Sequence, residues 1–187
     1  MHNITDGSRR VAFAQDQGKL AVSHVNKTAF GAVSPRTNVD LFAEVSETLG
    51  YRPISFRAMD ASGTAIYHTN VMMTVGPGFA VVCLASIEDQ RDKTLVTKSL
   101  SDGGLEIVDI SFEQMNRFAG NMLAVSGGKN TTFLVLSTNA LGSFSTTQKA
   151  TLEKYCELLP VSIPTIETHG GGGARCMMAE VFLPCLE

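Results

Sequence analysis

Asn70-Val71-Met72-Met73-Thr74-Val75-Gly76-Pro77-Gly78-Phe79-Ala80-Val81-Val82-Cys83-Leu84 sets two short apolar runs on either side of a Gly-Pro-Gly break. Runs of this length, rich in Val and bounded by turn formers, read as strands 71–75 and 80–84 of one hairpin. Residues 92–100 then carry apolar positions at helical spacing, and 105–110 form another short apolar run. The stretch therefore spells strand, strand, helix, strand.

The same order stands on both sides of it. Upstream, 19–33 reads as a hairpin around Asn26-Lys27, and Ser34-Pro35-Arg36-Thr37-Asn38 breaks the strand. Val39, Leu41, Phe42, Val45 and Leu49 recur at helical spacing until Gly50, and 52–58 reads as a strand ahead of an Asp60-Ala61-Ser62-Gly63 turn. Downstream, 122–125 and 132–136 flank Gly127-Gly128-Lys129-Asn130, with a helix expected over 146–159 and a strand over 161–166. Aligning the rounds puts Lys19, Asn70, Asn121 and Cys176 in one slot, just before each opening strand, at separations of 51, 51 and 55 residues. A period of that size is the signature of propellers or arrays. The expectation is one α/β domain over 1–187, with units 19–69, 70–120 and 121–175 and a last strand over 176–184. Units packed about an axis would turn the shared slot toward one central site.

In the fourth of those slots the chain reads His169-Gly170-Gly171-Gly172-Gly173-Ala174-Arg175-Cys176-Met177-Met178. A glycine run ending in Gly173 leaves space for a ligand to approach the backbone, and Arg175 puts a cation next to a thiol. A free cysteine in an apolar run is ordinarily a buried structural residue; the glycines and Arg175 favour Cys176 as a nucleophile instead. No Lys-Ser or Lys-Thr pair follows the glycines, as a phosphate cradle would need. A zinc site from His169, Cys176 and Cys185 lacks a paired ligand spacing. His68, two residues before Asn70, falls beside the slot that corresponds to the cysteine loop. It is the second candidate, because a cysteine and a histidine distant in sequence but adjacent in space are the usual nucleophilic pair.

Bulk composition narrows the partners. The 187 residues are 44% hydrophobic and 18% charged, with a net charge of −3, and the mean hydropathy is +0.10 with a pI near 5.8. Such a chain can bury a core, and with no long basic run it is not built for nucleic acid or an anionic membrane. No apolar stretch is long enough to span a bilayer, and the first residues lack the pattern of a signal peptide, so a cytoplasmic location is expected. Cys83, Cys156, Cys176 and Cys185 show no disulfide-framework spacing and are expected to be reduced.

The motifs Tyr67-His68-Thr69-Asn70-Val71-Met72-Met73, Phe118-Ala119-Gly120-Asn121-Met122-Leu123 and Gly171-Gly172-Gly173-Ala174-Arg175-Cys176-Met177-Met178-Ala179-Glu180, with Ser34-Pro35-Arg36-Thr37, resemble the guanidine-modifying amidinotransferase superfamily. The resemblance runs from about Phe13 to Pro184 and is nearest to the citrulline-hydrolase branch, related to arginine deiminases and dimethylarginine dimethylaminohydrolases. It implies a five-unit α/β propeller of ββαβ units, the pentein fold, of which this chain would be an N-terminally shortened version. It also implies a hydrolase of a guanidino or ureido amino acid, with Cys176 attacking the substrate carbon and His68 as general acid and base. No cofactor or metal is implied. Asn70 would contact substrate where some relatives carry an acid. The family's further carboxylate aligns with Gln15, a neutral amide, and Asp16 beside it is the candidate replacement. The alternative is a non-catalytic member or fragment that binds an amino-acid ligand or a partner protein. Open sheet edges in a shortened ring would be covered by a second copy of the chain.

Overall fold

The computed structural model describes residues 20–127 and 131–179. The expectations placed on Gln15, Asp16 and Lys19, on the end of the third turn and on a strand beyond 179 lie outside these residues. The elements fall into three groups. The first holds Leu20–Ser23 (β1), Thr28–Ala32 (β2), helix Val39–Thr48 (α1) and Arg52–Phe56 (β3). The second holds a helical turn Thr69–Met72 (α2), Met73–Gly76 (β4), Phe79–Val82 (β5), helix Gln90–Asp102 (α3) and Glu106–Asp109 (β6). The third holds Phe112–Asn116 (α4), Leu123–Ser126 (β7), Thr132–Ser137 (β8), helices Thr138–Ser143 (α5) and Thr146–Glu153 (α6), and Glu157–Val161 (β9). Pro164–Gly170 (α7) and the 3-10 turn Ala174–Met177 follow.

Each group is one small mixed sheet of an α/β fold. Its first strand pairs antiparallel with the second, and the second pairs parallel with the third. A tight turn can join the antiparallel pair, whereas the parallel pair needs a crossover, and helices supply it in every group. In the second hairpin Gly76 opposes Phe79, so Pro77 and Gly78 alone make the turn. Proline supplies the fixed negative φ, and Gly78 takes the φ of +85° that other residues avoid. The middle strands form the centre of the core: all five residues of β2 are buried, and Phe79, Ala80, Val81 and Val82 are fully so. A strand covered on both faces reads as an unbroken apolar run, which is why 79–82 shows no alternation.

The first strands lie side by side, β1 against β4 and β4 against β7. Polar side chains tie one group to the next across these contacts. Thr69 Oγ1 accepts from Ala32 N at 2.8 Å, and Asn26 Nδ2 donates to Gly103 O at 2.8 Å. Thr74 Oγ1 is buried, donates to Gly120 O at 2.7 Å with Met122 O also in reach at 3.1 Å, and accepts from Met122 N at 3.2 Å. Valine has the same shape but leaves those backbone groups unpaired away from water. Thr74→Val is therefore expected to cost about 2 kcal/mol, read as a lower denaturant midpoint with an unchanged slope.

Five boundaries differ from the sequence reading. Val71 and Met72 belong to a helical turn, with Val71 N bonded to His68 O at 3.1 Å, so the strand opens at Met73. Leu84 leaves the predicted strand and opens a 3-10 turn, Leu84–Ser86. The third helix stops at Glu153, and the chain is already in β9 from 157 to 161. There the ladder to β8 and the alternation of half-buried Leu158 with exposed Leu159 outweigh helix propensity. Pro164 opens α7 where a strand was expected, since proline fits the first turn of a helix and cannot donate to a ladder. Likewise Cys176 sits in a 3-10 turn rather than at the head of a strand. Among the described residues no helix is long and apolar enough to cross a membrane.

Candidate active site

Two chain reversals bring the site together. The first follows α4, where Phe118 takes a φ of +65°, a left-handed value that a bulky residue adopts only when its surroundings hold it there. Asn121 N closes this turn on Phe118 O at 2.9 Å, and Gly120 lies directly on the backbone of α2. The second follows α7, which ends on Gly171 at φ +67°, bonded through its N–H to Glu167 O. The chain then descends through Gly172 and Gly173 into the 3-10 turn that carries Cys176. Of the four glycines only Gly171 needs a positive φ; the next two are required by close approach. A Cβ on Gly172 would stand 2.8 Å from Cys176 Cβ, and one on Gly173 would stand 2.9 Å from Asn121 Oδ1.

Cys176 is exposed, and two asparagine side chains converge on its sulfur. Asn121 Nδ2 lies 3.2 Å from Sγ and Asn70 Nδ2 lies 3.8 Å from it. Asn70 and Asn121 are the shared-slot residues of the second and third rounds, and Cys176 is that of the fourth. The structure thus joins three slots that are 51 and 55 residues apart. Asn70 is 3% exposed, and its Oδ1 is buried with no partner among the described residues. Against the thiol opens a cavity of about 140 Å³, walled by Tyr67, Val71, Asn116, Phe118, Asn121 and Gly172.

His68 is half-buried and caps the N-terminus of α2, two residues before Asn70, with its ring 4.7 Å from that of Tyr67. The Ser34-Pro35-Arg36-Thr37 motif backs this wall: Ser34 Oγ donates to Tyr67 O at 2.9 Å, and the Arg36 guanidinium lies 5.2 Å over the Tyr67 ring. Arg175 points elsewhere. Its Nη1 donates to Met178 O at 2.7 Å, and it lines a larger groove of about 560 Å³ along β1, β4 and β7. Gly173 is buried under Phe118 and Asn121. His169 is exposed at the end of α7, and no group of three potential metal ligands occurs among the described residues. Burial raises the thiols of the other two described cysteines, pushing Cys156 up to about 11 and Cys83 up as well. The sequence marks Asn121 as a repeat position and as part of the Phe118–Leu123 motif without giving it a role, and it does not mark Tyr67 and Phe118 as cavity walls. The repeat register and that motif were the signals that pointed toward Asn121.

A sequence model of the family described as N,N dimethylarginine dimethylhydrolase, eukaryotic, matches residues 2–183. The chain belongs to the N,N dimethylarginine dimethylhydrolase family. Solved structures agree on the pentein fold. The cyanobacterial arginine dihydrolase ArgZ, in its apo form, superposes with a TM-score of 0.68 at 16% identity, over 89% of this chain and 24% of that one. The N-terminal domain of ArgZ bound to substrate gives 0.63 at 17% identity, over 84% of this chain and 53% of that one. AgrE in a ternary complex with ornithine and NAD+ gives 0.67 at 15% identity, over 91% of this chain and 23% of that one. This dimethylhydrolase-family chain thus spans about a quarter of the longer relatives and about half of the isolated domain. No curated protein matches its sequence.

Proposed function

We propose that the chain forms part of a thiol hydrolase for a guanidino or ureido amino acid, with its three ββαβ units belonging to an α/β propeller whose axis holds Cys176. The observation that carries this reading is the convergence of Asn70 and Asn121, from the turns that precede β4 and β7, on the sulfur of exposed Cys176 beside a small cavity. A buried structural cysteine would be packed in apolar surroundings, as Cys83 and Cys156 are. Membership in a family named for dimethylarginine hydrolysis supports a guanidino head group as the reacting part of the substrate.

The chemistry needs no group beyond water and these side chains. The Cys176 thiolate donates an electron pair to the guanidino or ureido carbon, and an S–C bond forms. The bond from that carbon to the leaving nitrogen then breaks, and His68 gives that nitrogen its proton. Water loses a proton to His68 and attacks the same carbon. A C–O bond forms, the C–S bond breaks, and its electron pair returns to sulfur. Asn70, whose Nδ2 faces the sulfur at 3.8 Å and whose Oδ1 has no partner among the described residues, is the polar contact to the substrate in both steps. The head group is planar and the cavity small, which suits a group the size of urea.

Release of ammonia or amine from citrulline, arginine and dimethylarginine by the purified chain tests this, with intact mass recorded during turnover. A cysteine-dependent product together with a covalent adduct on Cys176 is expected. A folded sample that gives neither, with all three compounds, overturns the reading.

A further inference from the structure

Asn121 is only 2% exposed, and its side chain is committed at both ends. Nδ2 donates to Asn70 O at 2.9 Å and faces Cys176 Sγ at 3.2 Å, while Oδ1 accepts from Cys176 N at 3.3 Å. Its main-chain carbonyl accepts from Arg175 N at 3.3 Å. These partners fix which way the amide points. A carbonyl can only accept and a backbone N–H can only donate, so the NH2 group must lie on the side of Asn70 O and of the sulfur. One amide hydrogen serves the carbonyl, and the other is left for Cys176. Asn70 Oδ1 has no partner among the described residues, and the contact of Asn70 Nδ2 with the sulfur is longer.

We propose that Asn121 is a further catalytic residue of this site, a neutral amide that holds Cys176 by its backbone and hydrogen-bonds its sulfur in the thiolate form. The inference rests on the reading of Cys176 as nucleophile. A donor aimed at the charged form of an acid stabilises that form, and a buried donor with no freedom to rotate does so without reorganising. Arg175, the cation adjacent in sequence, donates through Nη1 to Met178 O, and of the two amides that face the sulfur Asn121 is the nearer, at 3.2 Å against 3.8 Å for Asn70. The close seat of Gly173 against Oδ1 and Phe118 keeps the loop on this amide. Cys176, in the turn after α7, and Asn121, in the turn before β7, therefore work as a pair, with Asn121 itself anchored on Asn70 O.

Alkylation by iodoacetamide tests the pairing without turnover. The rate at Cys176 is followed by peptide mass from pH 5 to 10, with Cys176→Ala setting the background from every other thiol. Cys83 and Cys156 contribute little to that background, being buried. In Asn121→Asp a carboxylate replaces the donor at nearly the same size. Its profile is expected to move to higher pH by about one unit or more, which slows labelling at pH 7 about tenfold. Asn121→Ala removes the donor without adding charge and is expected to slow labelling at pH 7 about threefold or more, with the same limiting rate at high pH. Thermal midpoints establish that the compared variants are folded, and Asn121→Ala decides the matter if the buried carboxylate prevents folding. Unchanged profiles in folded variants overturn the role of Asn121 and leave the nucleophile reading intact. A wild-type Cys176 that labels no faster than background at neutral pH overturns both.

Discussion

Cys176→Ala is expected to lower kcat/KM by at least about 10⁴-fold and to remove the covalent adduct from the intact-mass spectrum. Only the sulfur is lost, and the surroundings make the change a clean one. Cys176 is exposed, its backbone N–H keeps its bond to Asn121 Oδ1, and Asn121 Nδ2 keeps Asn70 O as a partner. Stability should therefore stay within about 0.5 kcal/mol of wild type, and a loss of turnover cannot be assigned to unfolding. The cavity walls are untouched, so ligand binding should survive in the alanine variant. Turnover that persists at a comparable rate would remove Cys176 from the mechanism. Binding without turnover in the wild-type protein would favour a ligand-binding member of the family.

Gly120→Ala is the substitution expected to cost the fold most. A Cβ there would collide with Val71 O and lie 2.9 Å from both the Met72 carbonyl carbon and its Cα. All three are backbone atoms of the turn that presents Asn70, so no side chain can swing aside. The Gly120 carbonyl is itself pinned by Thr74 Oγ1 at 2.7 Å, which blocks a shift in the other direction. A loss on the order of 3 kcal/mol or more is expected, measured by denaturant unfolding. Gly142→Ala provides the contrast. Its Cβ would meet only the end of the Arg117 side chain at 3.2 Å, and the position is helical, so stability should hold or rise. Equal effects at the two glycines would mean that the close approach of the second and third sheets is not a constraint. A folded Gly120→Ala protein should also lose reactivity at Cys176, because Asn121 is the next residue.

Local order was legible where the chemistry was local. The Pro77-Gly78 turn, the Val39–Thr48 helix capped by Asn38 and the apolar run of 79–82 are each decided by residues next to one another. The third round was misread where tertiary pairing decided: Glu157–Val161 gives up helix for a parallel ladder with a strand more than twenty residues earlier. In the sequence, Cys176 and His68 stand out because thiol and imidazole are reactive types whatever their surroundings. Asn121 does not, since an amide carries no such mark. Its importance lies in what it faces, and a period of 51 and 55 residues could align it with Cys176 without saying that the two touch.

By itself, then, the sequence determined the repeating order of strands and helix, the family, and the two residues with chemistry of their own. Those are properties of spacing and of side-chain type, which need no third dimension. Only the tertiary structure decided that Asn70 and Asn121 meet at one sulfur, that Arg175 bonds Met178 O, and that Gly120 seats on the backbone of α2 and Gly173 on the Asn121 amide. The reason is physical. Hydrogen-bond partners and steric limits belong to pairs of atoms, and here the members of each decisive pair come from different sheets or from the loop that follows them.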